Sequence, residues 1–96
     1  MLIRNFLHKG LERYALTGNA SGINPSHTMK IRLLLDALSL ADNLREITEP
    51  SLHALGRHRA KLKDWYSVSV NGNWRITFFY DGKEKTVRDV NYIDYH

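Results

Sequence analysis

The chain has no cysteine. That absence excludes a disulfide scaffold, a thiolate zinc site, an iron–sulfur cluster and a cysteine nucleophile, and it suits a reducing compartment. No apolar run approaches the roughly 18 residues that a membrane span needs. Met1 to Lys9 lacks the long apolar stretch of a signal peptide. The expected location is the cytoplasm, with no membrane partner. No internal repeat or low-complexity segment divides the chain. What is present is 96 residues, 43% hydrophobic and 25% charged, a composition of globular rather than disordered chains. Such a length buries roughly 60–70% of its unfolded surface, enough for one modest core, so residues 1–96 are read as a single domain.

Charge is unevenly placed. Fourteen Lys and Arg against ten Asp and Glu give a net +4, which invites an anionic partner. From Ser51 to Tyr66 four basic residues, Arg57, Arg59, Lys61 and Lys63, face one acid, Asp64. These four are the candidate RNA-binding residues. The same run also reads as an exposed basic loop.

Leu2 to Phe6 reads as a short strand. Lys9 to Thr17 reads as a helix, with Leu11, Tyr14 and Ala15 at helical spacing and Gly18 just past its end. Gly18 to Asn24 is a loop. Asn24 then caps a second helix with Pro25 at its first position. Met29, Leu33 and Leu40 with Ile31, Leu34, Leu35 and Leu38 give it a broad apolar face, ending near Ala41. Asp42 to Pro50 is an irregular connector with one helical turn at Leu44 to Ile47.

From residue 52 the pattern becomes that of strands. Trp65 to Val70 and Trp74 to Tyr80 alternate around the hairpin signal Asn71-Gly72. A two-residue loop there would pair Val68 with Arg75 and mix polar with apolar on both faces. A three-residue loop, Asn71 to Asn73, pairs Val70 with Trp74, Val68 with Ile76 and Tyr66 with Phe78. It makes one face wholly apolar, so burial selects it. The other face carries Ser67, Ser69, Arg75 and Thr77, where a mid-strand arginine could meet a phosphate. Asp81-Gly82 is a turn. Thr86 to Ile93 is a last strand whose broken alternation predicts a bulge. The expected fold is α+β, with two N-terminal helices packed on a small twisted antiparallel sheet.

The histidines show neither an HExxH pattern nor paired close spacing, so no metal and no other cofactor is expected. No G-x-S-x-G elbow supports a serine hydrolase. Phosphodiester cleavage needs less. RNA supplies its own 2′-OH nucleophile, so the protein must take that proton, hold the phosphate and protonate the leaving 5′-oxygen. His53, Arg75, Asp94, Tyr95 and His96 supply such groups if the fold converges them. Each has a plainer reading as well. His53 is also the pattern of a half-buried strand histidine, Arg75 of a solvated strand residue, and residues 94–96 of a frayed end.

These residues carry a family resemblance. The chain resembles the HigB toxins of the RelE superfamily, ribosome-dependent mRNA endonucleases of bacterial toxin–antitoxin systems. The segments concerned are Phe6 to Leu11, Ser21-Gly22-Ile23, Leu52-His53-Ala54-Leu55, Ser67 to Val70, Asn73 to Phe78 and Asn91 to His96. The resemblance implies a compact RelE-like fold whose open sheet face holds RNA. It places the family's catalytic histidine on His53, its strand arginine on Arg75, and its terminal triplet on Asp94, Tyr95 and His96. Gly56-Arg57 replaces the family's usual Lys-Gly, with about three extra residues before Trp65-Tyr66. Arg57 or Lys61 would stand in for the usual lysine.

The reading that follows is an endoribonuclease that cuts mRNA in the ribosomal A site without a metal. Its partners would be the ribosome, mRNA and a helix-turn-helix, HigA-like antitoxin, with operator DNA bound only by the toxin–antitoxin complex. His53 or Asp94 would be the general base, His96 the acid, and Tyr95 would orient or stack on a base. The rival readings are a non-catalytic RNA- or DNA-binding domain and a structural partner of an acidic protein.

Overall fold

The computed structural model describes residues 1–47, 52–55 and 62–94, with His53 described by its backbone alone. In chain order the elements are strand β1 (Leu2–Ile3), helix α1 (Lys9–Thr17), helix α2 (Thr28–Leu40), and strands β2 (Leu52–Ala54), β3 (Trp65–Asn71), β4 (Trp74–Asp81) and β5 (Thr86–Asp94). Short 3-10 turns at Pro25–His27 and Leu44–Glu46 flank α2. Among the described residues the sheet has five strands in the order β1-β5-β4-β3-β2.

The helices end where local chemistry ends them. His8 caps α1, its Nδ1 accepting from the Leu11 amide at 3.0 Å, and Gly18 closes it in a left-handed conformation with φ 81°. Asn24 caps the Pro25–His27 turn that leads into α2, so the expected cap lies one 3-10 turn ahead of the α-helix proper. The first turn of α1 and the loop before α2 approach through two glycines. A Cβ on Gly22 would sit 2.7 Å from the Gly10 Cα, so neither position has room for a side chain.

One face of α2 is buried through Ile31, Leu34, Leu35 and Leu38. The broad apolar face expected of α2 is not one face. Met29, Leu33 and Leu40 are 78%, 61% and 84% exposed. At about 100° per residue they fall on the side of the helix opposite the buried four.

The core joins Leu11, Tyr14 and the buried side of α2 to Val68, Ile76, Phe78, Val87, Val90 and Tyr92 of the sheet. Val68 pairs with Ile76 and Tyr66 with Phe78, the register that burial selects. The loop itself is shorter than expected. Asn71 pairs with Trp74, and the extra residue is taken up by a bulge between Ser69 and Asn71. The total offset is unchanged, so Val70 still turns inward and is buried.

Two further expectations about the strands divide. The broken alternation of β5 is a register shift opposite Thr77 and Phe79, with Asp89 at φ 54°. The antiparallel sheet is in fact mixed, because β1 runs parallel to β5. The strand expected over Leu2 to Phe6 is confined to Leu2–Ile3 plus an isolated bridge from Phe6 to Val90. The β5 bulge explains the interruption. Asn5 reaches across to it, its Nδ2 donating to the Asp89 carboxylate at 2.9 Å and its Oδ1 accepting from the Asp89 amide at 3.0 Å.

Candidate active site

The helices cover one face of the sheet, and the other face carries Arg75 and the polar residues of β3 and β4. Three rows can be read across it. Trp65 pairs with Phe79 and Phe79 with Arg88. His53 pairs with Ser67, Ser67 with Thr77 and Thr77 with Asn91. Ser69 pairs with Arg75 and Arg75 with Ile93. The polar set expected here is present, with one difference: Ser67 and Thr77 are only 1% and 7% exposed. These two short side chains form the floor of the face between longer neighbours.

Arg75 is half-buried at the centre of this face, and one guanidinium nitrogen donates to Ser69 Oγ at 2.9 Å. The bond fixes the direction of a planar cation whose geometry matches a phosphate. His53 stands two strands away in the neighbouring row. Strand spacing and rise put its Cα about 12 Å from that of Arg75, a distance that a nucleotide between them can bridge. Lys63 is exposed just ahead of β3.

Asp94 is placed differently. It pairs with Trp74 and so has the strand parity of Tyr92, the helix-side parity, while Ile93 shares that of Arg75. Its charge acts on Tyr92. Burial pushes the Tyr92 phenol above its ordinary value of 10.0, Asp94 adds to the rise, and a hydrogen bond from the Asn24 backbone opposes it. Arg57, Arg59, Lys61, Tyr95 and His96 lie outside the described residues.

Sequence reasoning missed a second polar centre beside the chain's last strand. His27 is buried, with its Nδ1 2.6 Å from Tyr92 Oη. Trp74 stacks on Tyr92 at 4.6 Å between ring centroids, and His8 meets the same ring edge-on at 5.3 Å. This cluster ties the start of α1, the turn before α2 and the end of β5 together. Nothing in the local pattern around His27 marks it. Trp65, Phe79 and Arg88 were also missed, although extending the alternation of β3 and β4 by one more step would have found both rings.

Among the described residues, no three His, Asp or Glu side chains gather where they could hold a metal ion. No helix among them is long and apolar enough to cross a membrane. A groove of about 720 Å³, lined by Leu44, Arg45, Leu52, Tyr66 and Tyr80 among others, opens on the helix side of the sheet. It is away from Arg75. An open face suits a polymer better than that groove does, and Arg75 stands on the face.

Known proteins of one family are similar to this chain. The family described as "RelE-like toxin of type II toxin-antitoxin system HigB" matches residues 4–96. The endoribonuclease HigB of Proteus vulgaris is 32% identical over 97 residues, covering 99% of this chain and 100% of its own length. On both counts, the chain belongs to the HigB-like toxins, RelE-like toxins of type II toxin–antitoxin systems.

Proposed function

We propose that the protein is an endoribonuclease that cuts mRNA in the ribosomal A site, halting translation in the cytoplasm until a HigA-like, helix-turn-helix antitoxin neutralises it. Operator DNA would be bound by the toxin–antitoxin complex. The observation that carries this reading is Arg75, held by Ser69 on the open face, one row from His53. The chain around it is 32% identical to a protein named as an endoribonuclease.

In this reading a general base takes the proton of the 2′-OH, the freed oxygen attacks the adjacent phosphorus, and the bond to the 5′-oxygen breaks. A general acid protonates that oxygen, leaving a cyclic phosphate and a 5′-hydroxyl. Arg75 holds the phosphate as negative charge builds on its oxygens. His53 or Asp94 is the base. The pairing of Asp94 with Trp74 favours His53 and leaves Asp94 to support the strand end beside Tyr92. His96 is the acid, and Tyr95 orients or stacks on a base. Arg57, Arg59, Lys61 and Lys63 hold flanking phosphates, with Arg57 or Lys61 in the role of the family's lysine. No cofactor enters, because the nucleophile belongs to the RNA.

The test is cutting of mRNA on reconstituted translating ribosomes. The parent protein should cleave within the A-site codon. Removal of His96 alone should lower the rate by about 10²–10⁴-fold, the usual worth of acid–base help. Intact mRNA after incubation with the parent protein would sink the reading.

A further inference from the structure

Two of the largest side chains in the protein take no part in its core. Trp65 and Phe79 neither belong to the buried cluster nor pack against it. They are cross-strand partners on the open face, half-buried, with ring centroids 5.6 Å apart and planes at 73°. Arg88, the next partner across the sheet, lays its guanidinium 4.2 Å from the centroid of the Phe79 ring. Its side chain is 48% exposed. Asp89 lies 3.5 Å from Arg88, but its other carboxylate oxygen accepts from Asn5, so that acid is drawn towards β1 and off the rings.

We propose that Trp65, Phe79 and Arg88 form a platform on which a base of the RNA substrate stacks. The inference rests on the reading that this face receives RNA, and it names a subsite outside the catalytic set. The Trp65 ring face, or the planar Arg88 cation laid over Phe79, can hold any base without reading its edge, since every base has a π-face. The placement relative to Arg75 fits. Phe79 and Arg75 are four residues apart on β4, about 13 Å along a strand. Stacked nucleotides advance about 3.4 Å each, so the platform meets a base no more than about four nucleotides from the phosphate at Arg75. Between them lie Ser67 and Thr77, buried and short, which leave the path low enough for a chain to cross.

An RNA occupant is favoured over a protein by charge and by what is absent. The platform and the centre of the face each carry an arginine, on a chain with a net +4. Among the described residues the large exposed aliphatic side chains, Leu2, Leu7, Leu16, Met29, Leu33 and Leu40, lie on β1, the segment after it and the two helices, and none is on β3, β4 or β5.

The experiment uses ribosome-bound mRNA with 2′-O-methyl groups at the cleavage site, which prevent cutting, and 4-thiouridine placed singly on either side of it. Irradiation should give adducts on Trp65 or Phe79 from one position within about four nucleotides of the blocked bond. With cleavable mRNA, Phe79→Leu keeps the apolar bulk but loses the ring. It should raise the half-saturating mRNA–ribosome concentration about 5- to 150-fold, the range for losing one base–aromatic stack, and leave the saturated rate unchanged. Phe79→Tyr should restore the parent value, and a thermal melt should show Phe79→Leu folded. If the parent cuts mRNA while Phe79→Leu and Trp65→Leu change neither the adducts nor the half-saturation, the platform falls and the catalytic reading stands. Cutting by the parent with no adduct on Trp65 or Phe79 from any 4-thiouridine position would also overturn it. If RNA cross-links to Trp65 but is never cut, the platform stands and the catalytic reading falls.

Discussion

On the helix side of the sheet, Ile76, Phe78, Val87 and Val90 have no exposed surface at all, and each fits against the helices or its neighbours. On the other side, the strand positions between them hold Ser67, Thr77, Arg75, Asn91 and two aromatic rings that no helix among the described residues covers. Both faces come from the same residues of backbone, one step apart. The helix side is selected for volume and closeness of fit. The open side is mixed in polarity, and the Trp65–Phe79 pair there carries an arginine. A change on the first face should therefore be read in stability, and a change on the second in activity with the fold intact.

The sharpest contrast pairs neighbours on β4. Phe78→Ala should cost about 3–5 kcal/mol, the usual range for emptying a buried aromatic site, seen as a much lower denaturant midpoint. Arg75→Ala, three positions away on the other face, should lower mRNA cutting by about 10²–10³-fold while shifting stability by under about 0.5 kcal/mol. Equal losses of stability in both variants would erase the division between faces.

Tyr92 tests the helix side by polarity. Tyr92→Phe leaves His27 Nδ1 buried without the partner now 2.6 Å away, and should cost about 1–3 kcal/mol. It should also change the alkaline behaviour. The folded protein holds the phenol proton above its ordinary value of 10.0, so the folded state keeps a proton that the unfolded chain gives up. The stability linked to this proton is full below that pH and is lost as pH rises towards the raised folded value. Denaturation curves taken across that range should fall more steeply for the parent than for Tyr92→Phe. The smallest effect is expected on the outer side of α2, where Leu33→Gln should shift the midpoint by under about 0.5 kcal/mol. A large loss there would mean that this face is packed in solution.

The elements legible in the chain were those set by neighbours in sequence. The bounds of α1 follow from apolar spacing and Gly18. The register of β3 and β4 follows from requiring Val68, Ile76, Tyr66 and Phe78 to share a face. The bulge of β5 shows in the spacing of Val87, Val90 and Tyr92. What was misjudged needed a second element. Met29 and Leu33 look like core residues until the opposite side of α2 is seen packed. The direction of β1 cannot be inferred from Leu2 and Ile3, because parallel and antiparallel partners accept the same residues. In the candidate site, Arg75 was placed by alternation alone, whereas the parity of Asp94 required the actual β4–β5 register with its bulge.

By itself the sequence determined which residues alternate, where the helices stop, and that an arginine would stand on a polar strand face, since these depend on periodicity and local backbone chemistry. Tertiary structure alone decided that the first strand closes the sheet in parallel, that Asp94 sits with Tyr92, and that His27 reaches that tyrosine from 65 residues away. It also decided that Trp65, Phe79 and Arg88 meet in one row. Such contacts join segments whose separation along the chain carries no periodic signal. Their partners are chosen by the packing of the whole sheet, in which a single bulge moves every later side chain from one face to the other.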